Sequence, residues 1–247
     1  MPPRDYRSLV TGRDLVSFEI EVKETNLYIR ANRSLRSKAL KLVHKYRSQL
    51  EGYIARHPAF TASFVPLPIR GDEPAIVKAM LEAGAKAGVG PMASVAGAIA
   101  EFVGTDLLHF SPELIIENGG DIYIRTSRKR VVGVFAGNSP LTGKIGLEIE
   151  PDETPMGVCT SSGTVGHSVS LGKADAAVII SPSATLADAA ATAVGNEVKT
   201  ESDIRRGLDF AQGIPGVTGA VIVKGDKIGS WGKVKLCATP GYSDLNA

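Results

Sequence analysis

The chain has 247 residues, a length that suits one large domain or two small ones and can bury a sizeable core. Hydrophobic residues make up 43% and charged residues 22%, which excludes an intrinsically disordered chain, a collagen-like fibre and a coiled coil. The 28 Lys and Arg residues against 26 Asp and Glu leave a net charge of +2, which argues against nucleic acid as the main partner.

The cysteines and the apolar runs predict a cytoplasmic protein. Cys159 and Cys237 lie in no CxxC pattern, which argues against a disulfide framework and a structural zinc site and favours a reducing compartment. No run of 18 apolar residues occurs, so we expect no membrane span. The first six residues lack the apolar stretch of a secretory signal.

The first elements along the chain are a hairpin and a long helix. Alternating apolar and polar residues over 14–31, broken by polar residues at 23–26, predict a β-hairpin. Apolar residues at spacings of three and four predict an amphipathic helix over 33–57, which Pro58 ends. The polar side of this helix is strongly basic and contains Glu51 as its one acidic residue. That side is either a solvated helix face or a patch that binds an anion.

The rest of the chain alternates between clusters of helices and clusters of strands. Such clustering predicts an α+β fold in which antiparallel sheet packs against helices. We expect one shared core, formed by Ile20, Val22, Val43, Leu50, Ile99, Val103, Ile115, Ile124, Val134, Val178 and Val221. The predicted helices are 75–86, 93–109, 185–194 and 202–212, and the predicted strands are 114–116, 122–124, 131–135, 145–149, 156–159, 174–181, 218–224 and 231–237.

The first candidate site is the segment 117–121, Glu-Asn-Gly-Gly-Asp, between two apolar runs. Gly119 and Gly120 permit positive φ angles or the close approach of a ligand to the backbone. Asn118 and Asp121 add polar side chains beside the exposed amides. The alternative is a simple Gly-Gly hairpin turn, which the same residues explain.

The second candidate is the segment 159–168, where hydroxyl residues are dense and His167 is the one histidine of the second half of the chain. Hydroxyl groups and free amides can hold phosphate or ribose oxygens, and a histidine suits general acid or base catalysis. Cys159 with His167 would instead suggest a thiol nucleophile, although no third orienting residue is evident. An exposed serine-rich loop is the remaining interpretation.

The third candidate is the alanine-rich segment 184–193. Asp188 and Thr192 are one helical turn apart, so the carboxylate and the hydroxyl can reach one hard cation. The small neighbours leave room for another segment or a ligand. The alternative is a packing helix in which Asp188 complements the helix dipole. A carboxylate and a hydroxyl alone make a weak site, so we expect metal occupancy to require a phosphate ligand.

These segments, in this order, resemble the ApbE-like family of flavin transferases, which move FMN from FAD to a Thr or Ser of a target protein. Residues 97–101, Gly-Ala-Ile-Ala-Glu, are similar to the family's Gly-Gly-Ile-Ala-Lys, so that Glu101 stands where the family has lysine. The likeness continues through the Gly-Gly-Asp of 119–121, the Thr-Ser-Ser-Gly of 160–163 and the Ala-Asp-Ala-Ala-Ala-Thr-Ala of 187–193. The form is closest to the short, cytosolic, uncharacterised subgroup of the family.

The resemblance implies a T-fold-like architecture, one ApbE-like domain over 1–247, and a site for FAD and Mg²⁺. It implies that Asp188, the Ala191 carbonyl and Thr192 hold Mg²⁺, and that His167 is catalytic. The residues that it places at the flavin nucleotide are Asn118, Gly119, Gly120, Asp121, Thr160, Ser161, Ser162 and Gly163.

Three functions follow as expectations. The first is Mg²⁺-dependent transfer or hydrolysis of a flavin nucleotide (FAD or FMN), with a flavin-accepting protein as partner. The second is a non-transferring protein on the same fold that binds a flavin or another phosphorylated ligand. The third is an adaptor that uses the basic helix 33–57. Fold resemblance alone does not select among them.

Overall fold

The computed structural model describes residues 10–163 and 172–239. Its helices and strands alternate in clusters, as the sequence predicts. The helices are α1 (Arg36–Arg56), α2 (Ala59–Ala62), α3 (Ala75–Ala87), α4 (Val95–Leu107), α5 (Ala184–Glu197) and α6 (Ile204–Gly213). The strands are β1 (Val16–Val22), β2 (Thr25–Ala31), β3 (Leu114–Asn118), β4 (Asp121–Arg125), β5 (Arg130–Gly133), β6 (Ile145–Ile149), β7 (Met156–Ser161), β8 (Ala176–Ser181), β9 (Gly219–Lys224), β10 (Lys227–Gly232) and β11 (Leu236–Ala238).

Two antiparallel sheets form the framework. The larger has eight strands in the order β1-β2-β3-β4-β7-β8-β9-β10, and the smaller has three in the order β11-β6-β5. The predicted hairpin over 14–31 is confirmed as β1 and β2, which pair from Val16 opposite Ala31 to Val22 opposite Thr25. The fold is α+β, with antiparallel sheet packed against helices.

The large sheet is buried on both faces except at its edge strands β1 and β10, which are largely exposed. One face packs against the helices in what we call the helix-side core, and the other packs against the small sheet in the sheet-side core. Alternate residues of β8 divide between them: Ala177 and Ile179 face the helices, whereas Val178 and Ile180 face the small sheet. The chain therefore forms three layers, namely small sheet, large sheet and helices.

The expectation of one shared core is wrong, although the predicted residues are buried apart from Val22, which is partly buried. A continuous apolar run shows that both faces of a strand are buried but not that each face packs against a different partner. The helix-side core contains Ile20, Val43, Leu50, Ile99 and Val103, and the sheet-side core contains Ile115, Ile124, Val134, Val178 and Val221.

The predicted strand over 231–237 is also wrong, because the chain changes sheets within it. β10 pairs with β9 in the large sheet and ends at Gly232, whose φ of +81° suits glycine. β11 then pairs with β6 in the small sheet, with Cys237 opposite Gly146. The sequence over 231–237 resembles one strand because the apolar spacing does not show that the chain leaves the large sheet and joins the small one.

The packing of α4 and β7 against the start of α5 determines where the candidate site lies. A Cβ on Gly97 of α4 would overlap the Ala184 carbonyl and approach the Asp188 Cβ to 2.8 Å. A Cβ on Gly157 of β7 would lie 2.7 Å from the Ala184 nitrogen. These contacts are too short for any side chain, so glycine at both positions allows three elements to meet at one point.

Within the described residues, no single helix is long and apolar enough to cross a membrane. One bent pair, Ala75–Ala87 with Pro91–Leu107 at 104°, meets the requirement by length and composition only.

Candidate functional site

The carboxylate of Asp188, on α5, lies at the start of α4. Its Oδ2 accepts a hydrogen bond of 2.8 Å from the backbone amide of Gly97, in the first turn of α4. Ser94, which precedes that helix, makes no side-chain cap. Asp188 therefore serves as the cap of a neighbouring helix, where an anion is favoured.

Glu101, on α4, does the same for α5. Its Oε2 accepts hydrogen bonds of 2.8 Å from the backbone amide of Thr185, 2.8 Å from the Thr185 hydroxyl and 2.9 Å from the Ser183 hydroxyl. The two helices thus cap each other, through a carboxylate about one turn inside α5 and one nearly two turns inside α4. Sequence reasoning noticed Glu101 only as a departure from a lysine pattern and missed this role.

Segment 117–121 is a hairpin turn that packs against the start of α4. Asn118 pairs with Asp121 across the two-residue turn, and Gly119 and Gly120 have φ angles of +69° and +109°. The Asn118 Nδ2 donates a 3.0 Å hydrogen bond to the Ala96 carbonyl, next to the Gly97 amide that Asp188 accepts from. The turn interpretation is confirmed, and the turn lies beside the Asp188 carboxylate.

Asp121 is the most unusual polar residue of this group. It is 7% exposed, and its Oδ1 is buried without a hydrogen-bond partner. Burial raises the pKa of Asp121 well above its usual range, and the charges of Asp188 and Glu117 raise it further. The Thr160 backbone amide and the Cys159 thiol, which hydrogen-bond to the carboxylate, oppose that rise.

The Asp188 carboxylate shares this environment. Although part of its surface remains accessible, burial raises the pKa of Asp188 to about 7, against the opposing effect of the Gly97 and Ala96 amides. Near neutral pH the carboxyl group is therefore close to the midpoint of its titration. A cation at this position would favour the charged form.

Cys159 lies in the same cluster and is fully buried. Its thiol lies 3.4 Å from the Ala184 carbonyl, so its one proton can be donated either to that carbonyl or to the Asp121 carboxylate. Burial, together with the charges of Asp121 and Asp188, raises the pKa of Cys159 well above its usual range. These surroundings keep the thiol protonated and argue against Cys159 as a nucleophile.

Asp188, Thr192 and Asn196 form the one partly exposed stripe on the middle of α5, at intervals of one turn. Ala191 is buried between them, and its carbonyl, as an interior residue of the helix, keeps one lone pair outside the helical ladder. Residues 10–163 and 172–239 contain no group of three His, Cys, Asp or Glu placed to hold a metal. A cation here would need hydroxyl and carbonyl oxygens beside the carboxylates.

The end of β7 supplies the hydroxyl residues. Thr160, Ser161 and Ser162 are half-buried, and the Gly163 amide donates a 2.9 Å hydrogen bond to the Ala174 carbonyl. A Cβ on the nearby Gly195 of α5 would lie 3.5 Å from the Ser161 Oγ, so this strand end adjoins the α5 stripe. The predicted catalytic His167 lies outside the described residues.

The basic side of α1 is more neutralised than its sequence predicts. Lys45 forms a 3.0 Å ion pair with Asp106 of α4, and Arg47 pairs with Glu24 at 2.7 Å and Glu51 at 2.9 Å. Two of these three acidic partners come from other elements, which an analysis of the helix alone does not reveal. The solvated, ion-paired face accounts for these charges.

Comparison with known proteins decides the family. The family model described as AbpE bacteria matches residues 7–211, which is most of the chain. The chain belongs to the ApbE-like family. Three archaeal relatives, each called UPF0280 protein, come from Methanocella arvoryzae, Methanocaldococcus jannaschii and Methanopyrus kandleri and are each 42% identical to it. They cover 87%, 87% and 89% of this chain and 87%, 90% and 91% of their own.

Solved structures of ApbE proteins share this fold. The apo flavinyl transferase ApbE of Pseudomonas stutzeri has a TM-score of 0.57 at 15% identity and covers 88% of this chain and 94% of its own. The flavin transferase ApbE of Vibrio cholerae has a TM-score of 0.54 at 12% identity, with 92% and 98% covered. At these identities the likeness concerns the ApbE fold alone.

Proposed function

We propose that this ApbE-like protein binds FAD together with Mg²⁺ and either transfers FMN to a protein acceptor or hydrolyses the nucleotide. The observation that carries the proposal is the Asp188 carboxylate. It is anchored at the start of α4, partly accessible, and placed beside Asp121, while burial raises its pKa to about 7. Such a carboxylate gains most from a cation.

The residues around Asp188 fit Mg²⁺, because they offer hard oxygen ligands. The Asp188 carboxylate and the Thr192 hydroxyl lie on the same partly exposed stripe of α5, and the Ala191 carbonyl comes one residue before Thr192. When bound, Mg²⁺ would neutralise the charge that develops on the leaving phosphate oxygen.

The chain's own residues would bind and orient the nucleotide. The Gly119 and Gly120 turn has exposed backbone and no Cβ, so a phosphate or ribose can approach it closely. We place Asn118 and Asp121 at the same ligand, together with Thr160, Ser161, Ser162 and Gly163 from the end of β7. His167 would hold and release the proton of the acceptor hydroxyl as general base.

We take residues 1–247 as one ApbE-like domain of T-fold type, because the large sheet packs against the helices on one face and against the small sheet on the other. A reducing, cytoplasmic setting agrees with two cysteines that are free in the structure. The partners in this proposal are a flavin nucleotide and a flavin-accepting protein.

A second function is favoured by Glu101, namely binding of a flavin or another phosphorylated ligand without transfer. Glu101 is committed to the start of α5 through three hydrogen bonds. An anion there cannot attract a phosphate group as the lysine of the family pattern would. Binding through Asp188 and the glycine turn does not depend on that lysine.

Titration of the full chain with FAD, with and without Mg²⁺, tests binding. We expect Mg²⁺-dependent binding that Asp188→Ala abolishes and that Asp226→Asn, an exposed charge change on the β9–β10 turn, leaves intact. Equal FAD binding by wild type and Asp188→Ala, with and without Mg²⁺, would mean that the protein shares the scaffold of the family and not its chemistry.

Products separate the two functions. With FAD, Mg²⁺ and a peptide that contains one threonine, transfer releases AMP and adds FMN to the peptide. Hydrolysis releases AMP and free FMN. Stoichiometric binding of intact FAD without AMP release supports the non-transferring function.

A further inference from the structure

Asp121 has a buried carboxylate oxygen that is an unsatisfied hydrogen-bond acceptor. Only 7% of the surface of Asp121 is exposed, and its Oδ1 has no hydrogen-bond partner. Buried polar atoms in native proteins almost always have one. An ordered water molecule or a bound ion is the usual partner of such an atom.

The surroundings of Asp121 select the type of partner. Asp188 lies close enough for its charge to act on Asp121, and Glu117 adds a further carboxylate, with its Oε1 accepting the Gly120 amide at 2.8 Å. In the described parts of the chain, neither Asp121 nor Asp188 forms an ion pair with Lys or Arg. Two neighbouring carboxylates, those of Asp121 and Asp188, that have no such ion pair suit a divalent cation and repel an anion.

We propose that Asp121 supplies its Oδ1 to the cation held by Asp188, so that the site has two carboxylates and binds Mg²⁺ before any nucleotide arrives. This inference rests on the proposed metal site at Asp188 and assigns Asp121 to the cation instead of to the flavin nucleotide. It also replaces the expectation that occupancy requires a phosphate ligand, because cation affinity rises with the charge of the ligand set.

Metal alone is the probe, so that the result does not depend on FAD. Mn²⁺ is titrated into the full chain at pH 8 and followed by calorimetry and by the electron paramagnetic resonance of free Mn²⁺. The variants are Asp121→Asn, Asp188→Asn and, as a control, Asp226→Asn. Asparagine keeps the shape of Asp121 and can still accept from the Thr160 amide, so Asp121→Asn should fold.

We expect wild type and Asp226→Asn to bind one Mn²⁺ equally, and both site variants to bind at least 10-fold more weakly, the minimum for the loss of a metal-site partner. Asp121→Asn should also raise the melting temperature of the metal-free protein and reduce its increase on adding Mn²⁺. If the role of Asp121 is only structural, Asp121→Asn should lower the melting temperature of the metal-free protein and leave its increase on adding Mn²⁺ unchanged.

Equal Mn²⁺ affinity of wild type and Asp121→Asn, with loss in Asp188→Asn, would overturn the inference and leave the proposed metal site standing. Absence of Mn²⁺ binding to wild type without FAD would also overturn it, and FAD-dependent Mg²⁺ binding in that case would keep the proposed function. If Asp121→Asn does not fold, wild type labelled at the aspartate carboxyl carbons replaces it. Mg²⁺ should then shift two buried carboxyl resonances, and a shift of one alone refutes the role of Asp121.

Discussion

The titration of Asp188 should make the metal-free protein less stable as the pH rises. The pKa of Asp188 is about 7 in the folded chain against 3.8 for the ordinary group. Between these values the unfolded chain has lost the proton that the folded chain retains, so the free energy of unfolding falls with pH and levels off above pH 7. The difference in pKa corresponds to a total loss of about 4 kcal/mol, of which about 2 to 3 kcal/mol falls between pH 5 and pH 8.

Asp188→Asn isolates this effect, because asparagine can still accept from the Gly97 amide but does not titrate. Urea unfolding of wild type and variant at pH 5, 6, 7 and 8, without divalent cations, gives the difference between them at each pH. We expect the free energy of unfolding of the variant, relative to that of wild type, to rise by about 2 to 3 kcal/mol from pH 5 to pH 8. Saturating Mg²⁺ should reverse the gain at pH 8. A difference that does not change with pH would refute the interpretation of Asp188 as a carboxyl group with a raised pKa.

Three further predictions concern the packing around the site. Glu101→Ala should lower the free energy of unfolding by about 1 to 2 kcal/mol, measured by urea titration, because the Thr185 amide loses its acceptor and only Ser183, which accepts from the Leu186 amide, still caps α5; an unchanged midpoint would contradict this role of Glu101. Gly97→Ala should cost about 2 kcal/mol or more, since its Cβ would overlap the Ala184 carbonyl, whereas Gly213→Ala, with open space around it, should cost nothing measurable by the same titration. In the native state Cys159 should resist a thiol reagent such as DTNB, whereas Cys237, which is only partly buried, should react first. Labelling followed by peptide mass analysis measures the order of reaction. Fast modification of Cys159 would disprove its burial.

Sequence periodicity predicted the elements of this fold well because local patterns determine them. The hairpin over 14–31, the long helix and the short strands all depend on residues a few positions apart. The split of the core and the change of sheet after Gly232 depend on which element covers which face. Those choices are made by contacts between segments far apart in the chain, which no short window contains.

The candidate site shows the same division. The one-turn spacing of Asp188 and Thr192 and the Gly119-Gly120 turn were visible in the sequence, and the structure brings the turn to the same helix start as Asp188. The cap made by Glu101 and the unpartnered oxygen of Asp121 were not visible. Both depend on distances across the fold, between α4 and α5 and between β4 and α5.

The reciprocal caps of α4 and α5 constrain how sequences of this family can change. A lysine in place of Glu101 has no acceptor for the Thr185 amide, so it would leave the Ser183 hydroxyl, which accepts from the Leu186 amide, as the one side-chain cap of α5. With lysine at position 101, the Ser183 and Thr185 hydroxyls would also lose the carboxylate that accepts from them. The residue at position 101 therefore decides whether α4 supports the start of α5 or presents a positive charge to an anion.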